Sequence, residues 1–268
     1  MDYKLIVLDL DDTLVLPDGT VSPENRHALL EAQRRGVRVA LASGRPTYAM
    51  HAVAETLELA RYGGYVVSFN GGHILRCQDN RVVHWQCLTR RQVERLYHLS
   101  QEQGVYLLTY TDSQIITPAS CPYIEIESQI TKMPLVECAD FMSAVPERVT
   151  KAMMLDDPER LRQVEQSLRP VVEGEFSMAI SKPFFLEFMH TGVDKGEAVR
   201  RLCQYMDIDI SQSIAMGDSY NDLTMIKAAG LGVAMANAVQ DIKDCAGHIS
   251  ASCEDHGVAQ AVHQFVLC

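Results

Sequence analysis

Three carboxylates stand at the end of the first apolar segment of the chain. In the segment KLIVLDLDDTLV, the apolar run LIVL is followed within four positions by Asp9, Asp11 and Asp12. Residues i and i+2 of an extended chain point to the same side, so Asp9 and Asp11 are expected to converge. Two close carboxylates resist joint ionisation unless a cation lies between them. The stretch therefore indicates either a solvated acidic turn or a cation-dependent reaction centre.

Further polar groups follow other apolar runs or open a helix. They are Ser43, Gly44 and Arg45 after VRVALA, Lys195 at a helix start, and Asp218, Asn221 and Asp222 after SIAMG. Ligands of open parallel sheets bind beyond the carboxyl ends of the strands, so these groups are expected at one edge of the sheet. The helix dipole disfavours a cation in the first turn of a helix, and the position of Lys195 therefore indicates an anionic partner.

The candidate metal ligands carry oxygen donors only. Carboxylates at Asp9, Asp11, Asp218 and Asp222 suit Mg²⁺, which takes one or two carboxylates, several waters and substrate phosphate oxygens. A zinc site is expected to show a cluster of histidines and cysteines, and the nine histidines show no metal-binding spacing. The sequence therefore predicts a magnesium site.

The elements that must position these groups alternate between strand and helix at both ends of the chain. The first segment gives strands in KLIVLDL, VRVALAS and YVVSFNGG, with helices in SPENRHALLEAQRRG and TYAMHAVAETLELA between them. Continuous apolar runs are typical of strands that are buried on both faces, and a βαβαβ order predicts a parallel sheet. The same rhythm returns after Gly192, where Asp194 and Glu197 are spaced like a capping box ahead of a helix.

The middle of the chain has a different pattern. Hairpin-like strand pairs, VYLLTYT with QIITPA and FSMAIS with FFLEFMH, accompany helices in RRQVERLYHLSQEQG and PERLRQVEQSLRP. This pattern predicts an antiparallel sheet with helices on one face. Three prolines interrupt any long element over residues 120–148. We therefore predict one α/β domain from residues 1–82 and 189–268, with an inserted α+β domain over residues 83–188.

Composition excludes several classes of function. The chain has 268 residues, of which 47% are hydrophobic, and its formal net charge of −11 argues against nucleic acid or an anionic membrane as partner. No segment approaches the roughly 20 apolar residues that a membrane helix needs, and no signal peptide is evident. The eight cysteines form no CxxC pair, so reduced thiols and a cytoplasmic location are expected. The sequence carries no indication of oligomeric state.

In order and spacing, the motifs resemble those of the haloacid dehalogenase (HAD) superfamily of phosphohydrolases, and in particular its Cof-type subgroup (subclass IIB, with a C2 cap). The matching motifs are DxDxT from Asp9 to Thr13, Ser-Gly-Arg from Ser43, Lys-Gly from Lys195 and GDxxND from Gly217 to Asp222. The segments FNGG and AAGLGVAMANA are also similar to the subgroup. The likeness covers the whole chain and is weakest in the inserted domain. One departure is Asp12, where the subgroup usually has glycine; it bears on the dynamics of the turn.

The resemblance implies a Rossmann-like parallel-sheet core with an inserted α+β cap that acts as a lid and selects the leaving group. It also implies that Asp9 attacks the substrate phosphorus, while Asp11 protonates the leaving alcohol and later activates water. Mg²⁺ would be held by Asp9, the backbone carbonyl of Asp11 and Asp218, with Asp222 in support. The expected activity is hydrolysis of small phosphorylated metabolites, sugar phosphates first, with pyridoxal phosphate and flavin mononucleotide also open.

The phosphoryl group has its own implied ligands. By resemblance, the Ser43 hydroxyl, the Gly44 amide and Lys195 hold its oxygens, Arg45 belongs to the same loop, and Asn221 orients ligands nearby.

Three other functions can be weighed against the sequence. A phosphomutase or phosphotransferase on the same scaffold would share the Asp9 intermediate but pass the phosphoryl group to a sugar. A sugar-phosphate-binding regulator without catalysis is expected to lack at least one of the four charged motif residues, and all of them are present. Dinucleotide binding at GLGVAM is excluded because Met235 replaces the third glycine of the motif and because the stretch follows a helix.

Overall fold

The computed structural model describes residues 2–268. Within it, residues up to His84 and the segment Asp194–Cys268 form one compact unit, and Trp85–Val193 form a second. These boundaries lie two and five residues beyond the positions 82 and 188 expected from the sequence. Among the described residues, no helix is long and apolar enough to cross a membrane.

The first segment follows the predicted alternation up to its third strand. Its elements are β1 Leu5–Leu8, α1 Pro23–Arg34, β2 Arg38–Ala42, α2 His51–Thr56, α3 Leu59–Tyr62, β3 Tyr65–Ser68, β4 His73–Arg76 and β5 Arg81–Trp85. Ser22 caps α1 by accepting a hydrogen bond from Asn25 N, and Pro23 opens the helix, as predicted. The helix expected from TYAMHAVAETLELA is instead broken into short pieces, with Glu58 in a left-handed conformation between α2 and α3. The strands β4 and β5 were not expected.

The inserted unit contains the predicted hairpins and helices. Its elements are β6 Leu88–Thr89, α4 Arg90–Gln103, β7 Tyr106–Tyr110, β8 Ile115–Thr117, α5 Pro122–Thr131, β9 Leu135–Glu137, α6 Phe141–Ala144, β10 Arg148–Val149, β11 Lys151–Leu155, α7 Pro158–Val172, β12 Phe176–Lys182 and β13 Phe185–His190. Two of the three prolines over residues 120–148 coincide with element starts: Pro122 is the first residue of α5, and Pro134 directly precedes β9.

The last segment returns to the first unit. Its elements are α8 Lys195–Met206, β14 Ser213–Gly217, α9 Leu223–Ala228, β15 Leu231–Ala234, α10 Gln240–Cys245, β16 His248–Ile249 and α11 Gly257–Val262, followed by a π-helical turn at His263–Leu267. Asp194 caps α8 by accepting a hydrogen bond from Glu197 N, which is one half of the capping box that the spacing predicted.

The sheet of the first unit has the strand order β16-β15-β14-β1-β2-β3-β4-β5. Its strands are parallel from β16 to β3, and β4 is antiparallel to β3. The predicted parallel sheet is therefore confirmed. Leu8 pairs with Leu41 on one side and Met216 on the other, so β1, β2 and β14 end at the same edge.

Both faces of this sheet are covered. One hydrophobic core packs α1, α2 and α11 against one face, and a second packs α8, α9 and α10 against the other. Such double burial is the physical reason for the continuous apolar runs in the sequence.

The inserted unit has a six-stranded sheet in the order β12-β13-β11-β7-β8-β9, antiparallel except for β8 with β9. Side chains of α4 and α7 share a core with one face of this sheet, among them Val93, Leu96, Leu161 and Val164. The antiparallel α+β pattern read from the sequence is present.

Candidate active site

Asp9 and Lys195 meet at the edge of the sheet where β1 ends. Asp9 comes directly after the strand and is buried, and its Oδ1 accepts a hydrogen bond from Lys195 Nζ at 2.5 Å. Lys195 Nζ also donates to Asp222 Oδ1 at 2.6 Å. The lysine is 0% exposed although it is the first residue of α8. An ammonium group without solvent needs counter-charges, and two carboxylates supply them here.

Three carboxylates gather at this point. Asp9, Asp218 and Asp222 each offer one oxygen, and the three oxygens lie within 4.8 Å of one another. Three ionised carboxylates and one ammonium group leave two uncompensated negative charges. Burial raises the pKa of Asp9 well above its usual range, with the Asp222 and Asp218 charges adding to the effect and Lys195 opposing it. Burial also raises the pKa of Asp218 to about 6.

The same burial and the neighbouring carboxylates also shift the pKa of Lys195. Burial acts to lower the pKa of Lys195, but the neighbouring charges of Asp9 and Asp222 and the hydrogen bonds to them raise it above its ordinary value. The raised pKa values of the carboxyl groups and of the lysine have the same meaning: the cluster binds protons, and so positive charge, more strongly than the isolated groups do. Carboxylate oxygens at this spacing fit a hard divalent cation such as Mg²⁺.

The three carboxylates are not equivalent. Asp222 Oδ1 is engaged by Lys195, and its Oδ2 accepts backbone N–H groups of Asp218 and Ser219, each at 3.0 Å. Asp222 therefore shapes the loop that carries Asp218. A Cβ at Gly217 would lie 2.6 Å from the Asp222 side chain, so only glycine allows this approach.

Asp11 departs from the expected arrangement. The sequence predicted that the side chains of Asp9 and Asp11 share one face, but the Asp11 side chain is 57% exposed and lies outside the carboxylate cluster formed within residues 2–268. The spacing rule holds only for extended backbone, whereas β1 ends at Leu8 and the chain then turns, with Leu14 N donating to Leu10 O. The convergence prediction was wrong for this reason.

Arg45 holds the carboxylate of Asp11. Its Nε donates to Asp11 Oδ2 at 3.0 Å and its Nη2 to Asp11 Oδ1 at 2.5 Å, a bidentate ion pair. Arg45 was expected to belong to the loop that binds the phosphoryl group, but here its guanidinium contacts Asp11, the predicted general acid.

The backbone of the turn after Asp11 explains why aspartate is accepted at position 12, where the subgroup usually has glycine. Asp12 has a φ of 59°, in the left-handed region where glycine is favoured and where aspartate is among the better tolerated residues. Its carbonyl oxygen accepts a hydrogen bond from Asn237 Nδ2 at 2.7 Å, which helps to hold the turn.

The loop after β2 places Ser43 and Gly44 at the same sheet edge. Ser43 is buried, its Oγ accepts a hydrogen bond from Arg45 N at 3.2 Å, and its carbonyl oxygen accepts one from Asn70 N at 2.9 Å. Asn221 is exposed, and its Nδ2 donates to Asn70 Oδ1 at 3.1 Å.

Two residues of this region had been given no role. Thr13, the last residue of DxDxT, donates from Oγ1 to Asp218 Oδ1 at 2.8 Å and so joins the first and last motifs. Asn70, in FNGG, contacts the Ser43 and Asn221 loops. Both residues belong to motifs that resemble the family, DxDxT and FNGG, and this resemblance could have indicated that they lie at the site.

Residues 6–262 match the family of haloacid dehalogenase-like hydrolases. The Bacillus subtilis protein YxeH is 36% identical over 269 residues, covering 99% of each chain. A haloacid dehalogenase-like hydrolase from Bacteroides thetaiotaomicron has a TM-score of 0.94 and 36% identity, covering 98% of this chain and 99% of its own. The 5-amino-6-(5-phospho-D-ribitylamino)uracil phosphatase YcsE of Bacillus subtilis is 28% identical, covering 100% of this chain and 97% of its own.

The chain belongs to the haloacid dehalogenase-like hydrolase family. It is a phosphatase with the α/β, Rossmann-like core of that family, and the predictions of its family, Cof-type subgroup and enzyme class are confirmed.

Proposed function

We propose that the protein is a Mg²⁺-dependent phosphatase that hydrolyses small phosphorylated metabolites, sugar phosphates first, through an aspartyl-phosphate on Asp9. The observation that carries the proposal is the cluster of buried Asp9, Asp222 and Lys195 with half-buried Asp218, which holds more negative than positive charge at the carboxyl edge of a parallel sheet.

The carboxylates of Asp9 and Asp218 and the backbone carbonyl of Asp11 would hold Mg²⁺, with Asp222 fixing the loop behind them. When bound, the ion would offset the repulsion between the Asp9 carboxylate and the phosphoryl group.

In the first step, Asp9 attacks the phosphorus atom. Lys195 donates a hydrogen bond to Oδ1 of the attacking carboxylate. The bond between phosphorus and the ester oxygen breaks, and the leaving oxygen takes a proton from Asp11. Ser43, the Gly44 amide and Lys195 neutralise and orient the phosphoryl oxygens, which is the main contribution of protein groups in phosphoryl transfer.

In the second step, Asp11 removes a proton from water, the water oxygen bonds to phosphorus, and the bond to Asp9 breaks. Asp11 must exchange its two hydrogen bonds with Arg45 for contact with the leaving oxygen and with water. A phosphoryl group that binds Arg45 competes for the same guanidinium and would free the Asp11 carboxylate.

The unit Trp85–Val193 is proposed to act as the cap that excludes water and recognises the leaving group. Two observations support a phosphorylated sugar or sugar derivative as substrate: the resemblance to the Cof-type subgroup, and the relative YcsE, whose name gives a phosphoribityl compound as its substrate.

The test is a panel of sugar phosphates and p-nitrophenyl phosphate, each assayed with Mg²⁺ or with excess EDTA. Phosphate release should need Mg²⁺ and should vanish in Asp9→Asn. Asp12→Asn is the matched control, because it makes the same replacement in an exposed turn where asparagine tolerates the left-handed backbone. An isomeric sugar phosphate in place of free phosphate would indicate a phosphomutase, and full activity in Asp9→Asn would refute the nucleophile.

A further inference from the structure

The turn after β3 has an unusual backbone. Phe69, Asn70 and Gly71 have φ values of 51°, 54° and 104°, three left-handed residues in succession. A bulky residue such as Phe69 rarely adopts this conformation, and such strain persists only where the surroundings over-determine it. The surroundings are the loop after β2: Phe69 N donates to Arg45 O at 3.0 Å, and Asn70 N donates to Ser43 O at 2.9 Å.

The other side of the turn contacts the start of α8. A Cβ built on Gly71 would lie 2.6 Å from the carbonyl oxygen of Asp194, the capping residue that precedes Lys195. The turn is therefore fitted between the loop that carries Ser43 and the helix end that carries Lys195.

The side chain of Asn70 adds a third contact. Its Oδ1 accepts the hydrogen bond from Asn221 Nδ2 at 3.1 Å, in the loop that also carries Asp218. Its amide also covers Gly44, where an added Cβ would lie 3.3 Å from both Oδ1 and Nδ2. One amide thus touches the loop after β2 and the loop after β14.

We propose that Asn70 is a positioning residue of the phosphoryl site, which fixes the Gly44 amide and the Asn221 side chain relative to each other. The proposal rests on the proposed function, because it assigns Asn70 to the site where the phosphoryl group is held. Glycine would adopt the same backbone with less strain. Glycine would, however, lack the side-chain contacts with Asn221 and Gly44, and these contacts indicate that the side chain, and not the turn alone, has a role.

The test compares Asn70→Gly with Asn80→Gly. Both asparagines have a φ of 54°, but Asn80 lies in the exposed turn between β4 and β5, so the control reproduces the backbone change only. With p-nitrophenyl phosphate and Mg²⁺, Asn70→Gly should lower kcat/KM about 10-fold, the effect of one lost hydrogen bond and a displaced amide. Asn80→Gly should retain the wild-type value.

A double-mutant cycle separates positioning from general damage. Asn221→Ala should cost a similar factor, and Asn70→Gly with Asn221→Ala should cost little more than either change alone, because the two side chains act as a unit. Full additivity of the two losses would overturn the proposal. If Asn70→Gly does not fold, Asn70→Ala, which also removes the acceptor for Asn221 Nδ2, replaces it in the cycle and should show the same coupling.

Amide hydrogen exchange tests the proposal without any turnover. Exchange over residues 43–45 and 219–222 should accelerate in Asn70→Gly and stay at the wild-type rate in Asn80→Gly. Unchanged exchange in Asn70→Gly would overturn the positioning role. An inactive wild-type protein would refute the proposed function alone, and the exchange measurement would still decide the role of Asn70.

Discussion

Replacement of Lys195 by methionine is a sharp test of the electrostatics of the cluster. The change keeps an unbranched apolar stem and removes the ammonium group that contacts Asp9 at 2.5 Å and Asp222 at 2.6 Å. Lys195 is 0% exposed, so the two carboxylates lose their partner in a place that water does not reach. Breaking a buried pair on one side costs about 3–5 kcal/mol, and we expect a loss of that order in the free energy of unfolding at pH 7.5 in EDTA.

The pH dependence of this loss has a definite sign. Burial already raises the pKa of Asp9 in the folded state, and removal of Lys195 raises it further, whereas the unfolded chain keeps an ordinary value near 4. The folded variant therefore binds protons more tightly than the unfolded one. Its stability should therefore recover as the pH falls, and the difference from wild type should shrink.

Urea denaturation in EDTA at several pH values measures both effects. Lys227→Met is the matched control, because Lys227 lies exposed in the last turn of α9. Added Mg²⁺ should restore part of the stability lost in Lys195→Met, since a cation can replace the missing positive charge. A Lys195→Met variant as stable as Lys227→Met in EDTA at pH 7.5 would refute the reasoning.

Three further outcomes follow from the same structure. Burial raises the pKa of Asp218 to about 6, so its ionisation opposes folding of the metal-free protein, and Asp218→Asn should be stabilising at pH 7 but no longer at pH 4 in EDTA denaturation curves. Asp11→Asn should lower steady-state kcat by about 10²-fold or more yet still release one burst of p-nitrophenolate, and an unchanged kcat would contradict its role. In the inserted unit, Lys151 Nζ donates to Glu187 Oε1 at 2.9 Å and both side chains are buried. Lys151→Met should cost about 3 kcal/mol in urea denaturation, and a double change to Met and Leu at these two positions should cost less.

The sequence predicts the parallel part of the fold well because its strands are buried on both faces. Continuous apolar runs at β1, β2, β3 and β14 mark such strands, and the carboxyl-edge rule then brings Asp9, Ser43 and Asp218 together. The strands at the two edges of the sheet were not predicted, because they are not buried on both faces or are very short. β5 is largely exposed and β16 has only two residues, so neither carries an apolar run.

The details of the site were less predictable than its location. The orientation of Asp11 depends on a turn whose left-handed residue at Asp12 shows in the sequence only as the position where the subgroup usually has glycine. The contacts of Thr13 with Asp218 and of Asn70 with Asn221 join segments about 205 and 151 residues apart, beyond any periodicity. Such contacts arise only when the sheet is assembled.

The most direct test of the proposed mechanism is to find the phosphoryl group on the protein. The Asp11→Asn variant is mixed with p-nitrophenyl phosphate and Mg²⁺, quenched in acid, digested and examined by mass spectrometry, with Asp9→Asn treated in parallel. The proposed mechanism predicts a phosphorylated peptide with the modification on Asp9 and none in Asp9→Asn. Turnover by the wild-type protein without any phosphorylated Asp9 in the trapped variant would contradict it.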